Sequence, residues 1–511
     1  MNGSADGLAP VEKGVPACGV GMAASSRARR TLVEGLAQEP FVLLVIALYA
    51  LILCLRPATH IRSDTWLALV AGRIVSKDWL PHHDGLTVWA DGKSWIDQQW
   101  LGQLLFYWIH AAGGLRLLLF VHVLLLVLAV ALAFAFARRT GGSSRSVAVV
   151  GIVALLVALP NSVARTQTFA YVLFVGLLWL LAVEFATPRR RVLLVLPLLV
   201  VWANVHGSAV LGAGLVAVWA AAHVIRLGAG GGREAWLARG RAGALAVAAF
   251  VCLLVSPYGL GVVGYYRDVL GAGALRDLVT EWGPATVTGQ PLFFVLAVAS
   301  IWLVARNPRA LNLFEHLALL CLLFAGLAVI RNAVWFALVA AMVVPRALDE
   351  VWPLGDAPLR RRVNVAVSLG ALAVVVGSLA IAAGRPQGSY VRDYPAEAAK
   401  AIAGIAAGDP SVRVFANERF ADWVLWKTPS LEGHVAFDAR FELLAPAQLR
   451  TIARLRARVL PNGLAPTKGY RVLVLDPVDD RAALRAAQLE KGTVTLYRDP
   501  NVYVMLRAPR A

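Results

Sequence analysis

The sequence predicts a polytopic α-helical membrane protein of about eleven transmembrane helices with a C-terminal extracytoplasmic α/β domain. Three observations carry that expectation. Of the 511 residues, 59% are apolar and only 16% are charged, with a mean hydropathy of +0.66. The apolar residues fall in repeated long runs rather than scattered positions. After about residue 384 the pattern changes to short β-like runs alternating with helical stretches.

Residues 1–39 are polar and small, and the sequence predicts a cytoplasmic, disordered start with the first span acting as an uncleaved anchor. Apolar runs predict spans near 41–56, 115–137, 146–160, 168–186, 192–205, 208–225, 242–256, 291–305, 312–330, 333–345 and 364–383. The stretch WLGQLLFYWIHAAGG, 100–114, is short and carries Gln103 and His110; it reads as either a further span or an interfacial helix. Arginine decides the topology. RARR at 27–30, RRTGGSSR at 138–145, PRRR at 188–191, the loop 226–241, RNPR at 306–309 and RRR at 360–362 are basic, and they share one side only if 100–114 does not cross. That side is the cytoplasm, with the amino terminus inside. The membrane part is therefore 40–383, with outer loops 57–99 and 257–290, and 384–511 follows outside.

Net charge is +18. In a soluble chain this would suggest nucleic acid, but here the excess is arginine in short loops, the positive-inside bias, so no nucleic-acid partner is expected. Cys18, Cys54, Cys252 and Cys321 show no CxxC spacing and predict neither a disulfide framework nor a zinc site. The tail has runs VRVFA, HVAF, YRVLVL, TVTLY and VYVML around helical stretches such as PAQLRTIARLRARVL. It has no GxGxxG after a strand and no P-loop.

The polar residues that are unusual for a membrane protein crowd into the outer segments. Asp64 opens DTWLALVAGRIV, where an N-cap is its plain structural role. Asp84, Asp91 and Asp97 stand in the same loop with His82 and His83, a set suited to proton transfer; adjacent histidines are a poor metal spacing. The tryptophans of this loop suit a headgroup belt. Later corners add Arg165, Asn204, His206, Tyr258, Glu281 and Arg331. Ionisable groups at membrane depth cost about 2.5–3.5 kcal/mol each on insertion scales, so they are seldom idle. Arg331 and Arg165 read either as snorkelling side chains or as a clamp for a lipid phosphate. A bundle with outer arginines and an outer carboxylate suits reaction of a lipid-linked phosphate donor with a hydroxyl or amine.

The series SDTWLALVAGRIV, LPHHDGLTVWADGKSWIDQQWL, WANVHGS, SPYGL, VTEWGP, YPAEAAKAI and FDARFELL resembles a bacterial branch of the GT-C-fold integral-membrane glycosyltransferases. That group includes the protein mannosyltransferases and lipid A aminoarabinose transferases. The resemblance spans about 60–510. It implies transfer of a sugar from a polyprenyl-phosphate donor to an envelope glycan, lipid or protein at the outer face of the bacterial plasma membrane. It implies Asp64 as catalytic base or orienting group, Asp84 as a second acidic group, and Asn204, His206, Glu281 and Arg331 as recurring polar positions. Metal use differs within the group, so a divalent cation is left open. Three positions depart from the series: Gln99 where relatives are often acidic, Thr166 where proline is frequent, and Ala439 where glycine is expected. A transporter or flippase of lipid-linked intermediates and a non-catalytic scaffold in envelope assembly are the competing readings.

Overall fold

The computed structural model describes residues 33–56, 59–228, 230–271, 280–356, 360–456 and 464–508. Most of the start expected to be disordered, and Cys18, lie outside them. Cys54, Cys252 and Cys321 are unpaired.

A helix occupies each stretch expected to span. Six are long and apolar enough to cross a membrane: Trp100–Arg139, Ser144–Asn161, Gln167–Ala186, Ala209–Leu227, Arg233–Cys252 and Arg361–Gly384. Pro40–Leu55, Pro291–Arg306 and Leu313–Ala328 are apolar but shorter, Val195–Val205 has 11 residues, and Ala333–Val351 carries Pro345 inside it. Starts are locally encoded. Proline stands at the first turn of Pro40–Leu55 and of Pro291–Arg306. Asn312 accepts from Glu315 N at 3.0 Å while Glu315 Oε2 accepts from Asn312 N at 2.9 Å, a reciprocal capping box. The bundle core is one contiguous apolar cluster. At its centre Trp335 lies 5.0 Å from Phe174 and 6.1 Å from Trp202, ring centre to ring centre.

The doubtful stretch 100–114 is continuous with the following span only in name. Gly113 (φ −153°, ψ 17°) and Gly114 (φ +65°, ψ −162°) leave helical geometry, and the positive φ at Gly114 needs the missing Cβ. The first half of Trp100–Arg139 therefore makes a separate arm, which packs along the helix Ser63–Asp78. Their approach is close because Gly72 is bare: a Cβ there would stand 2.2 Å from the Gln103 carbonyl oxygen.

The tail builds a four-stranded sheet of β1 (Val414–Ala416), β2 (Val472–Leu475), β3 (Thr493–Arg498) and β4 (Tyr503–Arg507) in the order β1-β2-β4-β3. β1 and β2 are parallel and the other pairs antiparallel. HVAF, expected as a strand, makes only isolated bridges: Val435 stands between Val414 and Thr87. Beside it, Val88 N and Trp89 N donate to the carbonyls of Val435 and Ala436 at 2.8 and 3.0 Å, so the first long loop extends the sheet of the tail. One buried cluster joins Trp66, Val70, Trp95, Phe106 and Leu118 to Tyr394, Trp423 and Val472.

A buried ionic knot fixes this seam. Arg440 pairs with Asp438 at 2.5 Å and with Asp84 at 2.6 Å, and its guanidinium lies 4.2 Å from the centre of the Trp95 ring. Elsewhere in the tail, burial pushes the Asp480 carboxyl up to about 7, with Glu418 and Asp476 adding to the push. A native carboxyl held protonated between about pH 4 and 7 stabilises the fold at low pH, and that contribution is lost as pH rises through the native value. The apparent unfolding midpoint of the purified protein is expected to fall from about pH 5 to pH 8 by less in Asp480→Asn than in the parent. Equal pH dependence in the two would refute it.

Candidate functional site

Asp64 is the second residue of the helix Ser63–Asp78, where a carboxylate is favoured by the helix dipole. It does not cap that helix. The cap position is Arg62, whose N–H donates to Thr65 Oγ1 at 3.2 Å. Thr65 Oγ1 in turn donates to Ala164 O at 2.7 Å, and Ala164 N donates to His60 O at 2.8 Å. These bonds pin 60–65 against the corner NSVARTQ and set Asp64 facing Arg165. Arg165 Nη1 stands 3.0 Å from Asp64 Oδ2 and 3.7 Å from Glu281 Oε2. Its side chain is 6% exposed, and its Nε has no partner among the described residues.

Arg331 lies in the turn Ile330–Asn332 between two apolar helices. Among the described residues no carboxylate ion-pairs with it; its guanidinium sits 5.3 Å from the centre of the Trp282 ring. Burial, and then the charge of Arg165, lower its pKa from the usual guanidinium value. A half-buried cation beside a second cation favours an anion as its third partner.

Three cavities meet at Arg331. The largest, about 840 Å³, is lined by Arg56, Arg62, Asp64, Arg165, Glu281 and Arg331 on the helical side and by Glu418, Phe441 and Arg456 of the tail. A second, about 380 Å³, is mainly apolar, with Leu156, Val157, Leu292, Phe293 and Ile330 beside Glu281 and Arg331. The third, about 290 Å³, lies against the other side of the Asp64–Arg165 pair and reaches His206, Tyr265 and Glu442.

Asp64, Arg165, Glu281 and Arg331 are thus brought together. His206 joins them in the smallest cavity. Its Nδ1 accepts from Ser208 N at 3.1 Å, which places the proton of the neutral ring on Nε2. Burial, then Arg331 and Arg165, drive its pKa well below the usual imidazole value. It is a hydrogen-bond donor at neutral pH, not a charged proton carrier.

Three expected site residues are placed elsewhere. Asp84 lines none of the three cavities; besides Arg440 it accepts from Leu86 N, Thr87 N and Thr87 Oγ1 at 3.3, 3.1 and 2.9 Å. Those four partners occupy its carboxylate and make it the anchor of the seam. Asn204 donates to Val200 O and Val255 O, each at 2.8 Å, and accepts from Trp100 Nε1 at 2.8 Å, so it ties three segments together. Tyr258 donates to Pro81 O at 2.8 Å and stacks edgewise on His82, ring centres 5.6 Å apart.

The sequence reading missed the tail's share, Glu418, Phe441, Glu442 and Arg456. Phe441 and Glu442 lie in the motif FDARFELL, which was their signal; Glu418 and Arg456 lie outside every motif of the series. The three departures from the motif series all line the smallest cavity. Two touch each other, Thr166 Oγ1 donating to Gln99 Oε1 at 2.6 Å. Among the described residues no cluster of three or more His, Cys, Asp or Glu is arranged to hold a metal ion.

No protein-family model matches the sequence, and no curated protein matches it. Solved structures do. ArnT from Cupriavidus metallidurans, bound to undecaprenyl phosphate, superposes with a TM-score of 0.52 at 14% identity, over 92% of this chain and 99% of that one. The fold is GT-C. The arabinofuranosyltransferase AftD from Mycobacteria matches at 18% identity with a TM-score of 0.49 over 91% of this chain. This chain spans 41% of AftD's length. In the GT-C fold seen here, the two cavities that share Asp64 open where the helical bundle meets helices and turns of the tail.

Proposed function

We propose that the protein is a membrane glycosyltransferase that moves a sugar from a polyprenyl-phosphate donor to an envelope glycan, lipid or protein on the outer face of the bacterial plasma membrane. The observation that carries this reading is the position of Arg331, a cation with no ion-paired carboxylate among the described residues, at the junction of an arginine-lined cavity and an apolar groove. The groove suits an isoprenoid chain, and the arginines suit the phosphate at its head. The undecaprenyl phosphate named with ArnT supports the same donor class.

In this reading an acceptor hydroxyl attacks the anomeric carbon as its bond to the phosphate oxygen breaks. Asp64 takes the hydroxyl proton, and Arg331 with Arg165 stabilises the departing polyprenyl phosphate. Glu281 Oε2 approaches the same Nη1 of Arg165, at 3.7 Å. Asp84 supports the site by holding the seam. The chain then divides into a cytoplasmic 1–39, a membrane part 40–383 of eleven spans, and an outer part 384–511, with Ser63–Asp78 and the arm Trp100–Ala112 lying along the outer surface. Trp79, 64% exposed, and Trp108, 53% exposed, suit the headgroup layer there.

The test is transfer by the protein in lipid nanodiscs, supplied with a panel of polyprenyl-phosphate sugars and a membrane-glycan extract, followed by mass spectrometry. Product from at least one donor is expected. Binding of polyprenyl phosphate with no product from any donor favours the scaffold reading. Arg331→Gln removes the charge but keeps a donor; it is expected to weaken undecaprenyl phosphate binding about 10- to 100-fold. Unchanged affinity would remove the phosphate role from Arg331.

A further inference from the structure

We propose that the 290 Å³ cavity is a subsite for a single neutral sugar ring, with Glu442, delivered by the tail, as the residue that holds its hydroxyl groups. This rests on the glycosyltransferase reading and deepens it.

Shape and chemistry both support a sugar. The cavity is about a third the size of its neighbour (290 against 840 Å³) and touches it along Asp64, Arg165 and Arg331. A ligand with its phosphate among the arginines therefore reaches the smaller cavity with the group attached to that phosphate. The walls offer flat faces from Trp282, Tyr265 and Phe441, onto which the C–H side of a sugar ring packs. Between them stand the polar side chains of Gln99, Gln167, His206 and Asn332, and the Nε2–H of neutral His206 makes no hydrogen bond among the described residues. Polar side chains gathered around one space suit a polar ligand. The array mixes acceptors and donors, as ring hydroxyls do.

Glu442 completes it. The residue belongs to the turn Phe441–Leu443, where Leu443 N donates to Arg440 O at 3.0 Å and Leu444 N to Phe441 O at 3.1 Å. The turn follows directly on Arg440, so the buried knot with Asp84 and Asp438 fixes where Glu442 stands. Glu442 is exposed and lines the cavity, so its carboxyl group is free to take a hydrogen bond from a ring hydroxyl. The departures at Gln99, Thr166 and Ala439 shape the same compartment, as a space that selects one sugar from others would require.

The test compares binding of bare undecaprenyl phosphate with its mannosyl, glucosyl and arabinosyl monophosphate esters, using the full chain in nanodiscs. Wild type is expected to bind at least one ester about tenfold more tightly than the bare lipid. Glu442→Gln should cut that preference to within about threefold while leaving affinity for the bare lipid unchanged. Tyr265→Ala, which removes one of the flat faces, should lower the preference about 3- to 10-fold and provides an independent arm should the first variant misfold. The proposal is overturned if both variants keep the full preference, or if both lose affinity for bare and sugar-linked lipid alike. Wild type that binds the bare lipid but prefers no ester leaves the donor reading standing and sinks this subsite. Wild type that binds neither sinks both.

Discussion

Asp64→Asn is expected to lower the rate of sugar transfer by about 10²–10⁴-fold, the usual contribution of a positioned proton acceptor. The protein should remain folded and should still bind undecaprenyl phosphate. The amide keeps an oxygen that can accept from Arg165 Nη1, which now stands 3.0 Å from Asp64 Oδ2. The Asp64 side chain is 38% exposed, and the buried Arg165 keeps Glu281 Oε2 at 3.7 Å as a compensating carboxylate. Because Arg62 rather than Asp64 holds the cap position, the cap survives and the helix start loses only the favourable dipole contact, about 0.3–1 kcal/mol. Transfer that survives at wild-type rate would move the base elsewhere, and Glu442 would be the first carboxyl to examine. Loss of transfer together with loss of folding would show that the Asp64–Arg165 contact is structural.

Arg440→Ala is expected to produce the largest loss of stability. It would strand Asp84 and Asp438, both buried, without their shared cation, and breaking such a buried pair costs about 3–5 kcal/mol. Packing of the guanidinium on Trp95 is lost with it. The seam between the first long loop and the tail should open, read as faster limited proteolysis of the tail and a lower thermal midpoint in detergent. Arg471→Ala is the control. Its pair with Asp409 is about one-third exposed on each side, and such pairs contribute about 0–1 kcal/mol. Equal resistance of the two variants to protease would show that the knot does not hold the seam.

The helices were legible because each apolar run is continuous and bounded by proline, asparagine or arginine. The gathering of Asp64, Arg165, Glu281 and Arg331 was legible for a related reason. Each is an ionisable residue at a corner, and alternating spans bring alternate corners to one end of a bundle. What the sequence concealed is satisfaction. Asn204 and Tyr258 look as available as His206, but the carbonyl oxygens of Val255 and Pro81, from distant segments, occupy them. Asp84 sits in the same loop as Asp64, yet its partner is Arg440 in the tail, which no local periodicity links to it. HVAF has strand composition but finds only a bridge on either side. Glu442 escaped notice because its place depends on the same distant contact.

The bridge between Thr87 and Val435 has a consequence for how the molecule is made. Roughly 350 residues separate the two partners, and at about 5–20 residues per second the ribosome takes on the order of 20–70 s to cover that interval. Throughout it the loop carrying Trp66, Trp89 and Trp95 has emerged while the residues that will cover it do not yet exist. The newborn chain therefore passes through a stage with a half-built aromatic surface. A lipid headgroup layer or a holding chaperone would have to shelter it until the tail arrives.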